Sequence, residues 1–276
     1  RPLRLYLQRG SGHFVAHAHS PEIQAERAHN LVLSRELVAA LNEKRLRLAF
    51  QPVLDTASRR PVFHEVLVRL EDAEGGIAAD SEFIAVAERL GLVRLIDYRV
   101  LDLALEALAA APAHHLSVNV SAGTIGDSEW LARLSGAISG KPDLASRLIV
   151  EITETAMIAH VEEAARFVAL LHDLGCRIAI DDFGAGFSSF RHLRDLGVDI
   201  VKIAGAFVEN LPRSRDDQVF VRALVDIARN LGMTTVAEWV ADEETIAMLR
   251  GIGVDMLQGR LVGAPRMDLA GDAPAP

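Results

Sequence analysis

Short β-branched runs alternate with longer segments of helical periodicity along most of the chain. Leu48–Leu54, Pro61–Arg69, Leu116–Val120, Leu148–Ile152, Arg177–Asp181, Ile200–Ile203, Thr234–Ala237 and Met256–Leu257 read as strands. Between them Ser81–Leu90, Tyr98–Ala110, Val161–Leu174, Asp217–Leu231 and Asp242–Gly251 read as amphipathic helices, with Phe187–Leu196 as a shorter one. In Val161–Leu174 the apolar residues Val161, Ala164, Ala165, Val168 and Leu171 recur at helical spacing, and Gly175 follows as a C-terminal stop. Strands alternating with helices of this length imply βαβ units and a parallel sheet. About eight of them in an undivided chain favour an α/β fold of the TIM-barrel-like (β/α)8 kind over an open sheet. The first two strands are separated only by 55–60, too short for a parallel crossover, so one antiparallel strand is expected near the start.

The ends of the chain depart from this pattern. Leu3–Gln8 and His13–His17 could pair around Gly10–Gly12, with a helix from about Pro21. Residues 1–36 thus read as the tail of a preceding domain or a linker helix, 37–268 as the barrel, and 269–276 as a disordered, Pro- and Ala-rich tail. His13, His17 and His19 lie close together without a cysteine or carboxylate partner at fixed spacing, and so do not define a metal site.

Composition narrows the setting. A formal charge of −9 over 276 residues argues against general binding to a nucleic-acid polymer, which calls for a basic face. It leaves room for a small anionic ligand, because bound divalent cations can invert the local field. Cys176 is the only cysteine, so no internal disulfide can form, in keeping with a reducing compartment. No apolar run reaches the roughly 18 residues of a membrane span. The chain opens on Arg1 without a signal peptide and reads as a cytoplasmic piece of a longer protein, whose anchor, if it has one, lies outside this segment.

Polar residues end one strand after another: Glu65, Asn119, Glu151, Asp181 with Asp182, Glu238 and Gln258, with Lys202 among them. In a parallel barrel the C-terminal strand ends converge on one mouth, where barrel enzymes keep their active sites. Any one of these residues could simply cap the following helix. All of them together would repel unless something cationic held them. Hard oxygen donors of this kind suit Mg²⁺ or Mn²⁺ rather than structural zinc.

The same residues carry a family resemblance. Phe50-Gln51-Pro52-Val53, Glu65-Val66-Leu67 with Arg69, Asn119-Val120-Ser121, Glu151-Ile152-Thr153-Glu154-Thr155, Asp181-Asp182-Phe183-Gly184, Lys202-Ile203, Val236-Ala237-Glu238 and Gln258-Gly259 follow one another in the order of an EAL domain. The chain resembles this bacterial family of cyclic di-GMP phosphodiesterases from about Arg35 to Arg266. The resemblance implies hydrolysis of cyclic di-GMP to linear pGpG at a site of two Mg²⁺ or Mn²⁺ ions, inhibited by Ca²⁺, in a homodimer that works under an upstream sensory or regulatory domain. It also implies roles. Glu65, Asn119, Glu151 and Asp181 would hold one ion, and Asp181, Asp182 and Glu238 the second. Lys202 would orient the attacking water, and Glu238 could take its proton. Gln51, Arg69 and Gln258 would contact the ligand, and Glu154 would anchor the loop that carries Gly184 and Gly186.

Several positions depart from the family pattern. Ala204 stands where an aspartate normally follows Lys-Ile, and Ala241 where a glutamate normally helps hold the loop. Trp239 takes a glycine's place, Val66 an alanine's, and Arg260 that of an aromatic residue. None of these removes an implied metal ligand, which favours an enzyme, if a slow one. Ala204 and Ala241 favour the alternative, a non-catalytic cyclic di-GMP receptor using the same pocket. The retained acids and Lys202 speak against a purely structural module.

Overall fold

The structure, a computed structural model, describes residues 3–4, 15–16, 21–72, 75–78, 80–159, 161–184, 194 and 196–269. Two short strands, β1 (Leu3–Arg4) and β2 (Val15–Ala16), pair antiparallel ahead of helix α1 (Pro21–Asn42). The histidines His13, His17 and His19, Gly186, most of the expected helix Phe187–Leu196, and residues 270–276 lie outside the described residues. Helix α1 continues across the boundary expected at residue 36, and its Leu37 and Ala40 are fully buried in the main core.

The barrel follows in order: β3 (Leu46–Asp55), β4 (Pro61–Glu71), β5 (Ile77–Ala78), α2 (Asp80–Arg89), α3 (Val93–Ala110), β6 (Leu116–Val120), α4 (Ser128–Ile138), α5 (Pro142–Ser146), β7 (Leu148–Thr153) and α6 (Glu154–Ala159). It continues through α7 (Val161–Asp173), β8 (Arg177–Phe183), β9 (Ile200–Ile203), α8 (Gly205–Val208), α9 (Arg215–Asn230), β10 (Thr234–Ala237), α10 (Glu243–Ile252) and β11 (Met256–Leu257). The strands pair in the order β3-β11-β10-β9-β8-β7-β6-β4, and β3 closes the ring on β4, with β5 added outside on β4. Strand β3 is antiparallel to both neighbours, while the other barrel pairings are parallel. This is the (β/α)8-type barrel with one reversed strand that the pattern predicts. The strand boundaries agree to within two residues at either end.

Register sets where the site sits. Moving round the ring, the strands step by two residues between Glu65 and Asn119, between Glu151 and Asp181, and between Lys202 and Glu238. A fourth step, implied where β11 meets β3, brings the stagger to eight, the value of TIM barrels. Val53, Phe63, Ile149, Ala179, Ile200, Val236 and Met256 form an apolar plug inside the ring, separate from the larger core between strands and helices. Alternation places Val66, Val118, Val150, Ile178, Val201, Ala237 and Leu257 on the outer face, under the helices.

Helices α4, α5, α6 and α8 and strand β5 are additions to the predicted elements. Most are a turn or two long, below the length at which periodicity becomes readable. Helix α3 begins at Val93 rather than Tyr98, since Leu92 at its start offers no capping side chain to mark the boundary. No helix among the described residues is long and apolar enough to cross a membrane.

Candidate active site

Each plug residue has a polar counterpart two positions nearer the mouth, on the same face of its strand. Phe63 is followed by Glu65, Ile149 by Glu151, Ala179 by Asp181, Ile200 by Lys202, Val236 by Glu238 and Met256 by Gln258. On the reversed strand β3, Val53 is preceded by Gln51; on β6, buried Ser117 is followed by Asn119. Period-two alternation thus turns eight unrelated strand ends into one polar layer resting on an apolar floor.

Lys202 is at the centre of that layer and has no solvent exposure. Its Nζ lies 2.7 Å from Glu151 Oε2, 2.9 Å from Asp181 Oδ1, and 3.0 Å from both Glu65 Oε2 and Glu238 Oε1. An ammonium has three protons for these four oxygens. Directed hydrogen bonds run to Glu65 and Glu151, and Asp181 Oδ1 is a buried oxygen held at ion-pair distance without one. The amides complete the network. Asn119 Nδ2 donates to Glu65 Oε1 at 2.8 Å, and Gln258 Nε2 donates to Glu65 Oε2 at 2.6 Å and to Gln51 Oε1 at 3.3 Å. Gln51 Nε2 donates in turn to the Gly263 carbonyl at 3.1 Å.

One cation among four carboxylates leaves an excess of negative charge, and the acids respond unequally. Burial alone would lower the pKa of Lys202, but the four carboxylates, Glu151 and Glu65 foremost, hold it well above its ordinary range. Burial pushes Glu151 up to about 8 against the pull of Lys202, with the charges of Glu65 and Asp181 pushing the same way. Burial likewise pushes Glu238 up to about 8. At Glu65 burial is outweighed by Lys202, Gln258 and Asn119, which hold the carboxyl below its usual value. The cluster therefore retains protons near neutrality. Glu151 Oε1, Asp181 Oδ1 and Gln258 Oε1 are buried oxygens with no hydrogen-bond donor. Buried, under-satisfied hard oxygens fit a divalent cation of the Mg²⁺ type. Among the described residues, no three His, Cys, Asp or Glu side chains are spaced around such an ion; the acids converge on Lys202 instead.

Other expected residues lie around this centre. Asp182 is exposed and takes a left-handed backbone (φ +54°); desolvation and then the charge of Asp181 raise its carboxyl. Arg69 lies four residues beyond Glu65 on the same face of β4, and its Nη1 donates to the Val68 carbonyl. Glu154 is buried at the start of α6 and accepts the Gly184 N–H at 2.7 Å. Gly184 has φ +100°, and the stacked rings of Phe207 and Phe220 leave no room for a side chain there. Ala204 is buried just past β9 and heads helix α8 without a side-chain cap.

Asp97 is a residue the sequence reading did not single out. From the buried side of α3 it accepts the Ser121 N–H at 3.0 Å and the hydroxyls of Ser121 and Thr124 at 2.6 Å each, tying down the chain just beyond Asn119. The signal was an acid in line with Ile96, Val100 and Leu101 on an otherwise apolar stripe. Asp97 also lines a cavity of about 580 Å³ that opens beside Glu65, Asn119 and Asp181, with Val66, Ile96 and Val100 among its apolar walls.

An α/β barrel that carries its buried ionic cluster at the C-terminal mouth has the architecture of barrel enzymes and of proteins that bind ligands at that mouth. A family model described as the EAL domain matches residues 34–265, and the chain belongs to that family. It is 31% identical over 248 residues to the cyclic di-GMP phosphodiesterase PdeF of Escherichia coli (strain K12), covering 88% of this chain and 33% of that protein. Against the cyclic di-GMP phosphodiesterase PdeB of Shewanella oneidensis it is 36% identical over 240 residues, covering 83% and 28%. The chain spans about a third of the length of these curated relatives. Among solved structures it is similar to the PaMucR phosphodiesterase in complex with c-di-GMP (TM-score 0.79, 30% identity, 85% of this chain and 97% of that one). It is also similar to the Xanthomonas citri FimX EAL domain in complex with c-diGMP (TM-score 0.81, 25% identity, 89% and 98%).

Proposed function

We propose that this domain hydrolyses cyclic di-GMP to linear pGpG. The observation that carries the reading is the Lys202 cluster, in which four acids and two amides from separate strand ends form one buried layer at the barrel mouth. The names of the relatives supply the ligand class.

Glu65, Asn119, Glu151 and Asp181 would hold one Mg²⁺ or Mn²⁺ ion, and Asp181, Asp182 and Glu238 a second. Such a pair of ions supplies Lewis-acid stabilisation of the attacking and leaving oxygens of an in-line displacement at phosphorus. Lys202 is fixed by its neighbours in the charged form and would orient the incoming water and offset charge developing on the phosphoryl oxygens. Glu238, ionised once the cations offset the charge of the cluster, would take the proton that the water loses as the new P–O bond forms and the bond to the ribose 3′-oxygen breaks. Gln51, Arg69 and Gln258 would contact the ligand, while Glu154 holds the loop entrance through Gly184. The apolar-walled cavity beside Glu65 and Asn119 offers room for a base.

Replacing Glu151 with Gln tests this reading. The variant is expected to stay folded and lose pGpG formation in Mg²⁺ or Mn²⁺, and the wild type to lose it in excess chelator or with Ca²⁺ alone. Near-native turnover by the variant, or full activity in chelator, would overturn the assignment. A second reading, a receptor that binds cyclic di-GMP without turning it over, is favoured by Ala204, which puts a methyl group rather than an acid just past Lys202. A homodimer and control by an upstream domain belong to the same proposal.

A further inference from the structure

We infer that Trp239 is a stacking platform for a nucleobase of the bound ligand, at the rim opposite the cavity lined by Glu65 and Asn119. The inference rests on the nucleotide reading above, but concerns binding rather than hydrolysis. Trp239 directly follows Glu238, whose carboxylate lies 3.0 Å from Lys202. Its backbone is left-handed (φ +55°), one of four such non-glycine residues among those described. A bulky side chain persists in that region only when its surroundings enforce it, and such strain gathers at ligand clamps.

The surroundings here do enforce it. Glu238 N–H donates to the Ile203 carbonyl at 3.3 Å and Val240 N–H to the Gln258 carbonyl at 2.9 Å, pinning the chain on both sides. Gly259 (φ +152°) packs so closely under this turn that a Cβ there would run into Trp239 and Val240 backbone. The indole is seated on Gly205, where any side chain would collide with the ring. Yet the residue is 59% exposed. A strained backbone thus holds an aromatic ring in solvent, with one part resting on Gly205 and the remainder uncovered, one peptide bond from Glu238 of the proposed metal site. A planar, rigid π-surface in that place suits base stacking, which is tolerant of base identity.

The experiment is a titration of cyclic di-GMP in Ca²⁺ with wild type, Trp239→Phe and Trp239→Gly, followed by indole fluorescence and by calorimetry. The only other tryptophan, Trp130, is fully buried against Phe167. Wild-type fluorescence should change on saturation, and both variants should lose that change. Affinity should fall roughly ten-fold or more in Trp239→Gly and by less than about three-fold in Trp239→Phe. Glycine accepts this backbone without strain, which offsets the packing lost over Gly205, so Trp239→Gly should unfold cooperatively with a melting temperature near that of wild type, which separates lost binding from lost folding. Unchanged affinity in Trp239→Gly, or no fluorescence change in saturated wild type, overturns the inference. So does unchanged affinity with a shift from dimer to monomer, which would make the indole a contact with a second copy. Binding without turnover removes the hydrolase reading and leaves this one standing; no binding by wild type removes both.

Discussion

Lys202 Nζ lies 2.7 Å from Glu151 Oε2, and neither side chain is exposed to solvent. A buried pair of this kind is a poor source of stability in itself, but breaking it leaves an uncompensated charge that typically costs about 3–5 kcal/mol. Here one lysine serves four acids at once, so its loss should be felt throughout the mouth.

Lys202→Met keeps the volume and removes the charge. In chelator the variant should lose about 3–5 kcal/mol of stability in urea unfolding. Added Mg²⁺ should recover much of that, because a divalent cation would neutralise the same acids. In Mg²⁺ its kcat should fall by roughly 100-fold or more while ligand affinity changes little, the signature of an interaction made in the transition state. If binding collapses while turnover of bound ligand persists, Lys202 is a ground-state contact instead.

The acids predict an unusual pH dependence. Glu151 and Glu238 are raised from 4.5 to about 8 in the fold, so the folded state binds more protons between those limits. Their stabilising contribution is complete below about 4.5 and is lost as pH rises through about 8, with a slope of at most about 1.4 kcal/mol per pH unit for each group. Glu65, held below its ordinary value, acts in the opposite sense, and its contribution disappears only as the solution becomes acidic. In chelator the melting temperature should therefore fall from about pH 6 to about pH 9, and Mg²⁺ should flatten the fall. A melting temperature that rises across this range in chelator would contradict the proposed protonation of the cluster.

Asp97 offers a test away from the ionic centre. Burial raises its carboxyl against the pull of the Ser121 and Thr124 hydroxyls, so its charge adds little that a neutral acceptor could not provide. Asp97→Asn keeps an acceptor oxygen and should stay within about 1 kcal/mol of wild type. Asp97→Ala strips the acceptor from the Ser121 N–H and from the two hydroxyls, which are left with only their mutual 3.3 Å contact, and should cost about 2–3 kcal/mol. Equal denaturation midpoints for the Asn and Ala variants would remove Asp97 from its place as the anchor of the Asn119 strand end.

The barrel was legible because each strand is short, β-branched and bounded, and because the 55–60 turn allows only an antiparallel return. The polar layer was legible for a related reason: every strand gives up its apolar character at the same height, so Ile200 with Lys202 and Ile149 with Glu151 repeat one alternation. What the pattern could not reveal was the side-chain partnership within the layer. Nothing in the spacing says that Gln258 bonds Glu65 rather than solvent, or that Lys202 rather than a metal gathers the acids. Those contacts depend on the barrel's stagger, which brings residues distant in sequence to one level. Asp97 was missed because one acid on an apolar helical stripe looks like an interruption until the Ser121 and Thr124 hydroxyls appear opposite it.

Ala204 decides between the enzyme and receptor readings. It is buried directly after β9, two residues beyond Lys202, at the head of a helix that lacks a side-chain cap. An aspartate there could cap α8 and bond the lysine or a group beside it, and supporting partners of this kind typically change affinity or activity about 10–100-fold. Ala204→Asp should raise pGpG formation by roughly that factor with little change in cyclic di-GMP affinity. It also adds an acid to a crowded cluster, so in chelator the variant should be less stable at alkaline pH than at neutral pH, by more than wild type is. Product formation at saturating Mg²⁺, measured side by side with binding in Ca²⁺, separates the cases. A variant no faster than wild type would clear Ala204 as the defect. If neither protein forms product while both bind cyclic di-GMP, the domain is a receptor.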